Sequence, residues 1–165
     1  MAAQYWRLLF QRGSNNQGNI SSDFWYCMVG LEMRQTQGGA NAATGGTATA
    51  STNWDSNYDA PKALGTYASG RWWGMGLSNG DVWWKYQFTG PVDIEEITLT
   101  GNVGNRPDMK TPQRLILQSS PDNATWTTKY AWVIKTPWVT NGTDTRVFNG
   151  SNTENAVSNW SRIVS

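Results

Sequence analysis

The chain has 165 residues, of which only 15% are charged, and its 13 basic and 12 acidic side chains give a formal net charge of +1. This length fits one domain with one core, and the balanced charge disfavours nucleic acid as a partner because it gives no field that attracts a polyanion. The single cysteine, Cys27, excludes an intrachain disulfide, and the absence of histidine excludes Ser-His and Cys-His catalysis. We expect neither a signal peptide nor a transmembrane segment, since no long apolar run occurs.

Alternation of apolar and polar residues is the main pattern of the chain, and it recurs in short segments separated by Gly, Pro or Asn-Gly turns. A period of two is typical of strands with one buried face. In the opening segment Trp6, Leu8 and Phe10 share the predicted core face, while Tyr5, Arg7 and Gln11 share the opposite face. The pattern therefore predicts an all-β fold.

The next part of the chain has a weaker pattern. Residues 24–34 form a second apolar run, and residues 47–52 are compatible with a short strand. Between them, residues 37–48 are rich in Gly, Ala and Thr, and we expect them to cross the surface. Residues 53–76 combine aromatics with Asp, Gly and Ser without a clear period, so we expect irregular loops with one helical turn near Lys62.

Clear alternation returns at residue 81. The predicted core face carries Val82, Trp84, Tyr86 and Phe88, and the opposite face carries Asp81, Trp83, Lys85 and Gln87. Ile97 and Leu99 belong to the next predicted strand. The three-residue step from Ile94 to Ile97 suggests a β-bulge at Glu95 and Glu96.

The last third of the chain continues the strand pattern. Leu115 and Leu117 are predicted to point inward, and a turn follows at residues 121–124. Beyond the turn, one predicted core face carries Trp126, Thr128, Tyr130, Trp132 and Ile134. Val147 lies on the last predicted long strand. We see no linker, so the sequence predicts one β-sandwich domain over residues 1–165.

Three stretches resemble the discoidin, or coagulation-factor type C, family. The first is residues 114–128, where a strand ending in Gln-Ser-Ser leads through an Asp-containing turn to Trp-Thr. The second is residues 83–94, and the third combines residues 5–8 with residues 30–34, which are similar to versions of the domain in bacteriophage virion proteins. The resemblance covers most of residues 4–150.

This resemblance implies a galactose-binding-like jelly roll of about eight antiparallel strands, whose end loops hold a sugar or, in some relatives, a lipid head group. It also implies a calcium ion, which many members bind. The family's loop with a conserved aspartate corresponds to residues 63–66 here, and it contains no aspartate. The chain therefore departs from the family pattern at the calcium site.

Tryptophans in polar, irregular sequence are the strongest functional signal. Indole rings pack against the C–H faces of sugars, while the sugar hydroxyls need fixed polar partners. Trp6, Trp84 and Trp126 are on predicted core faces and are interpreted as structural. The candidate glycan contacts are Trp54, Trp72, Trp73 and Trp138, each beside Asn, Asp, Arg or Gly. The alternative is that these rings close the ends of the sandwich.

The loop that follows Thr100 supplies polar candidates. Asn102, Asn105 and Arg106 have the donors and acceptors that a neutral sugar requires. The alternative is that Asn serves only the turn and that Arg106 pairs with Asp108.

Acidic residues offer little for catalysis. Asp55, Asn57 and Asp59 place oxygens at alternate positions, as a calcium loop does, but the remainder of that loop is missing, so a plain polar loop is the alternative. Paired carboxylates at Asp55 and Asp59, or at Glu95 and Glu96, are interpreted as solvated surface acids.

These observations favour a non-catalytic carbohydrate-binding module that attaches a phage particle or another assembly to cell-surface glycans. Its partners would be a glycan and other virion proteins, in multiple copies at the virion surface, without nucleic acid or membrane insertion. The alternative is a virion structural or decoration protein whose tryptophans pack on capsid or tail subunits. A glycan hydrolase is the third hypothesis.

Overall fold

Two antiparallel sheets make up the fold in the computed structural model, which describes residues 1–11, 24–65, 70–76, 82–102, 112–135, 138 and 143–151. The strands are β1 Ala3–Gln11, β2 Phe24–Arg34, β3 Thr47–Ala50, β4 Trp72–Gly76, β5 Val82–Val92, β6 Glu96–Asn102, β7 Arg114–Ser120, β8 Thr127–Val133 and β9 Thr143–Asn149. Two short 3-10 helices, Ser56–Tyr58 and Ala60–Leu64, follow β3. The predicted all-β sandwich is confirmed, with nine strands in the described ranges.

The five-stranded sheet has the order β3-β5-β1-β7-β8, and the four-stranded sheet has the order β4-β2-β6-β9. All the strand pairs are antiparallel. No helix among the described residues is long and apolar enough to cross a membrane.

A core rich in aromatic rings lies between the sheets. Phe10 of β1 contacts Tyr26 of β2, with ring centroids 5.4 Å apart, and Trp132 of β8 contacts Phe148 of β9 at the same distance. The predicted core face of β5 is confirmed, since Val82, Trp84, Tyr86 and Phe88 are buried. Burial of these rings supplies the largest apolar contribution to stability.

The helical turn predicted near Lys62 is confirmed by the second 3-10 helix, whereas the prediction of irregular loops over residues 53–76 is wrong at its end. Trp72 begins β4, which pairs with β2. The prediction failed because the run Trp-Trp-Gly-Met-Gly has no apolar-polar alternation. Gly74 is required for packing: a Cβ there would lie 2.3 Å from the Trp72 indole and 2.9 Å from Val82.

The inward face predicted for Trp126 to Ile134 is correct only in its second half. Leu117 pairs with Tyr130, but Gln118 pairs with Thr128, so one extra residue of β8, Lys129, interrupts the register. A β-bulge of this kind reverses the side-chain phase. Trp126 is therefore not in the core, and it contacts Arg7 on the outer face of the five-stranded sheet.

The bulge predicted at Glu95 and Glu96 is instead a break between two strands. β5 ends at Val92 and β6 begins at Glu96, and the fully buried Ile94 lies in the connection. The three-residue step therefore reflects a connecting segment rather than an irregular strand.

Candidate functional site

Four side chains at one edge of the four-stranded sheet form what we call the edge cluster: Trp54, Tyr58, Arg71 and Trp73. The Tyr58 ring stacks on Trp73, with centroids 4.5 Å apart and planes 10° from parallel. Trp54 meets Trp73 edge-on at 6.2 Å. The Arg71 guanidinium lies 5.3 Å from the Trp73 ring centroid. The cluster is thus a compact aromatic surface with one cation.

The fold anchors this cluster through Trp73. Trp73 is on edge strand β4, opposite Cys27 of β2, and its Nε1 donates to the Cys27 Sγ over 2.6 Å. The backbone N–H of Trp54 donates to the Trp73 carbonyl over 2.9 Å. The Trp54 side chain remains 41% exposed. The cluster therefore combines a fixed base with one indole open to solvent.

The structure does not bring the other two candidate tryptophans to this surface. Trp72 is fully buried, with its Nε1 donating to the Thr52 carbonyl and to Asn53 Oδ1 over 3.1 Å each. Trp138 is 6% exposed, and its ring is covered by the Arg146 guanidinium at 4.2 Å. Neither ring is open to a saccharide, so both predictions are corrected: these indoles are structural.

The polar loop predicted to contact the sugar is described only at its first two residues, Gly101 and Asn102. Asn102 ends β6, where its backbone is paired with Thr143. Asn105 and Arg106 lie outside the described residues. Their role stays a prediction.

The candidate calcium ligands are engaged by protein groups. Asp55 Oδ1 accepts a hydrogen bond of 2.6 Å from the Asn57 backbone N–H. The Lys62 ammonium donates to the Asn57 carbonyl over 2.7 Å and lies 3.8 Å from Asp59 Oδ1. The Lys62 ammonium thus lies close to oxygens of two of the three candidate ligands, Asn57 and Asp59. Among the described residues, no group of three or more acidic or thiol side chains is arranged to hold a metal ion.

Glu95 and Glu96 are not the solvated pair expected from the sequence. Glu96 is only 4% exposed and pairs with Arg34 at 2.9 Å. Glu95 accepts hydrogen bonds from Lys129 and from the Tyr130 hydroxyl. Burial and the hydrogen bond to Glu95 raise the pKa of Tyr130 to about 12. The two carboxylates thus serve separate ion pairs, and Glu96 is buried on the face of β6 opposite the core residues Ile97 and Leu99, beside Arg34, Gly38 and Asn149.

A second arrangement, which we call the sheet-face cluster, was not predicted. Arg7, Trp83, Lys85, Asn123 and Trp126 line a depression of about 160 Å³ on the outer face of the five-stranded sheet. The guanidinium of Arg7 lies 4.1 Å from the Trp126 ring centroid, and the ammonium of Lys85 lies 5.3 Å from that of Trp83. Two cations and two indoles thus converge on a concave surface.

The turn before β8 presents two of these residues. Asp122 Oδ1 accepts from the backbone N–H groups of Thr125 and Ala124, at 2.8 and 2.9 Å, and from the Ser120 hydroxyl. These bonds lower the pKa of Asp122 to about 2. The turn also holds Asn123 at a φ of 61°, in the left-handed region that asparagine tolerates. The Asp-containing turn thereby places Asn123 and Trp126 at the depression.

Part of this cluster was visible in the sequence. The alternation placed Arg7, Trp83 and Lys85 on outward faces, and a tryptophan on an outward face is a signal of a binding surface. What was missing was the pairing of β1 with β5 and the bulge that turns Trp126 outward.

Comparison of the chain with protein-family models, with curated proteins and with solved structures finds no match. The resemblance to discoidin domains therefore stays a prediction, and function has to be inferred from the geometry of the two clusters.

Proposed function

We propose that this protein is a non-catalytic carbohydrate-binding module that attaches its parent assembly to a cell-surface glycan through the edge cluster. The observation that carries the proposal is the Trp54 indole, 41% exposed and braced by a stacked pair of aromatic rings. A rigid ring loses little conformational entropy when a sugar packs on it.

The surroundings of Trp54 support a polar, neutral ligand. Asp55, Ser56 and Asn57 are exposed directly after it, and Arg71 lies beside the same rings. Carboxylate, hydroxyl, amide and guanidinium groups together offer donors and acceptors for sugar hydroxyls. An open indole beside such groups meets both requirements of a saccharide, an apolar face and fixed polar partners.

Display in many copies on a virion surface is the setting that the discoidin resemblance implies. A single exposed indole makes a weak contact, and repetition on one particle would convert it into tight attachment. The competing proposal is a decoration protein that packs on capsid or tail subunits. It would use exposed apolar surface, which among the described residues is scattered over Met1, Trp54 and Val147.

A glycan array on the purified protein tests the proposal. We expect Trp54→Ala to reduce the array signal about five- to thirtyfold, because loss of one stacking ring removes about 1–2 kcal/mol of contact. Val147→Ala is the matched control, since Val147 is 42% exposed on β9, away from the edge cluster. Circular dichroism checks that both variants fold.

Two results would contradict the proposal. Absence of any glycan signal together with tight self-association in analytical ultracentrifugation would favour the decoration protein. Release of new reducing ends from an array hit would indicate a hydrolase.

A further inference from the structure

The outer face of the five-stranded sheet carries two like charges directly opposite each other. Arg7 of β1 is the register partner of Lys85 of β5. Like charges in this position destabilise an antiparallel pair. Exceptions to such local rules are often found at functional positions.

In the part of the chain that the structure describes, Lys85 has no acidic neighbour that offsets this repulsion. Its ammonium donates to Asn123 Oδ1 over 2.9 Å, and within the described ranges no carboxylate lies at ion-pair distance from it. Burial lowers the pKa of Lys85, and the charge of Arg7 lowers it further. An anion placed in the depression would favour the charged form of Lys85 and so oppose this lowering of its pKa.

Arg7 is held in a fixed orientation beside it. Arg7 Nε donates to Gln118 Oε1 over 2.7 Å, and Gln118 Nε2 in turn donates to Thr128 Oγ1 over 3.0 Å. The guanidinium plane also rests on the Trp126 ring. Because these contacts exist in the unbound protein, little ordering remains to be done when a ligand arrives.

The walls and the size of the depression restrict the ligand. Trp83 and Trp126 supply aromatic surface, and the five described lining residues include no carboxylate. The volume of about 160 Å³ is below the roughly 300–1,000 Å³ of pockets for drug-sized ligands. The space therefore suits one ring with one charged substituent rather than an extended polyanion.

We propose that the sheet-face cluster is a binding site for a sugar ring that carries an acidic substituent, held by Lys85 and Arg7 and packed against Trp83 and Trp126. The site shares no residue with the edge cluster, so it stands or falls independently of the function proposed above.

Titration of tryptophan fluorescence with four probes tests this proposal. Methyl glucuronide, N-acetylneuraminic acid and glucose 6-sulfate carry the charge on different groups, and methyl glucoside is the neutral match. We expect the affinity of at least one acidic probe to exceed that of the neutral probe by about tenfold or more. The reason is that hydrogen bonds with an ionised partner are about twice as strong as hydrogen bonds between neutral groups. The preferred probe identifies the acidic group.

Variants connect the signal to the site. Lys85→Met retains the length of the side chain without its charge and should abolish the preference for the acidic probe. Lys135→Met is the matched control, because Lys135 is exposed beyond the end of β8 and does not line the depression. Trp54→Ala should leave acidic binding unchanged, which separates failure of this proposal from failure of the edge-cluster proposal.

Three outcomes would overturn the proposal. These are equal binding of acidic and neutral probes, equal binding of the acidic sugars and of acetate added as a fifth probe without a sugar ring, and retention of the acidic preference in Lys85→Met. Two-dimensional NMR of the indole N–H groups in the same titrations gives a second readout, in which the Trp83 and Trp126 signals should shift.

Discussion

Glu96→Ala is the substitution with the clearest expected effect on stability. The buried carboxylate accepts hydrogen bonds from Arg34 Nη1 at 2.9 Å, the Gly38 backbone N–H at 3.0 Å and Asn149 Nδ2 at 3.1 Å. Its loss leaves three donors without this acceptor, removes the ion pair that connects β2 to β6, and removes the Asn149 hydrogen bond that connects β6 to β9. Breaking such a buried pair costs about 3–5 kcal/mol, and we expect about 3 kcal/mol because Arg34 keeps its second partner, Glu32.

Thermal and urea unfolding followed by circular dichroism measure this cost. For a chain of this length about 3 kcal/mol corresponds to a fall in Tm of roughly 6–12 °C. Glu32→Ala is the matched control: it removes the more exposed partner of the same arginine, so we expect a cost below about 1 kcal/mol. Equal effects of the two substitutions, or a change under about 1 kcal/mol for Glu96→Ala, would refute the reasoning.

The same pair predicts a pH dependence. Burial raises the pKa of Glu96, but bonds from Gly38, Asn149 and Arg34 outweigh burial and lower it below its usual value. A lowered folded-state pKa means that the stabilisation is present above the ordinary carboxyl range and is lost as the pH falls through the lowered value. The acid side of the stability curve should therefore be flatter in Glu96→Ala than in the parent.

Three further predictions concern the core and the sheet-face cluster. Gly74→Ala should cost about 1–3 kcal/mol in urea unfolding because its Cβ would overlap the Trp72 indole, and an unchanged midpoint would show that β4 moves aside. The pKa of Asp122 is lowered to about 2. The NMR chemical shifts of the turn should therefore stay constant as the pH falls through the usual carboxyl range and change only near pH 2. A transition at the usual carboxyl pKa would contradict the turn geometry. Lys85→Met should raise stability by about 0.2–1 kcal/mol because it removes the repulsion from Arg7, and destabilisation would argue against that repulsion.

Local alternation was sufficient to predict the strands that bury one face. In β5 every second residue from Val82 to Phe88 is buried, and the sequence has that period. β4 could not be found in this way, since Gly74 is required by contacts with Trp72 and Val82 rather than by a period. Prediction therefore succeeded where buried and exposed residues alternate along the strand, and it failed where contacts between strands determine which residue is needed.

The candidate site also separates into residues that local sequence predicts and residues that only strand pairing determines. Trp54 was identified from its polar neighbours, and it is the exposed ring of the edge cluster. Trp72 has similar neighbours in the sequence, yet its ring is in the core, because strand pairing rather than local composition decides which way it points. The opposition of Arg7 and Lys85 depends on residues 78 positions apart, and no local pattern reveals that register.

The charge of the whole chain and the charge of the sheet-face cluster have different consequences. A net charge of +1 gives no long-range attraction for a polyanion. Arg7 and Lys85 act at contact distance, where partial burial reduces screening by salt. Lys129, by contrast, lies beside the carboxylates of Asp93 and Glu95. A negative group that is supplied from outside would relieve the opposition of Arg7 and Lys85 on this face. Binding of such a group should weaken only modestly with added salt, in contrast to the steep dependence of polyanion binding.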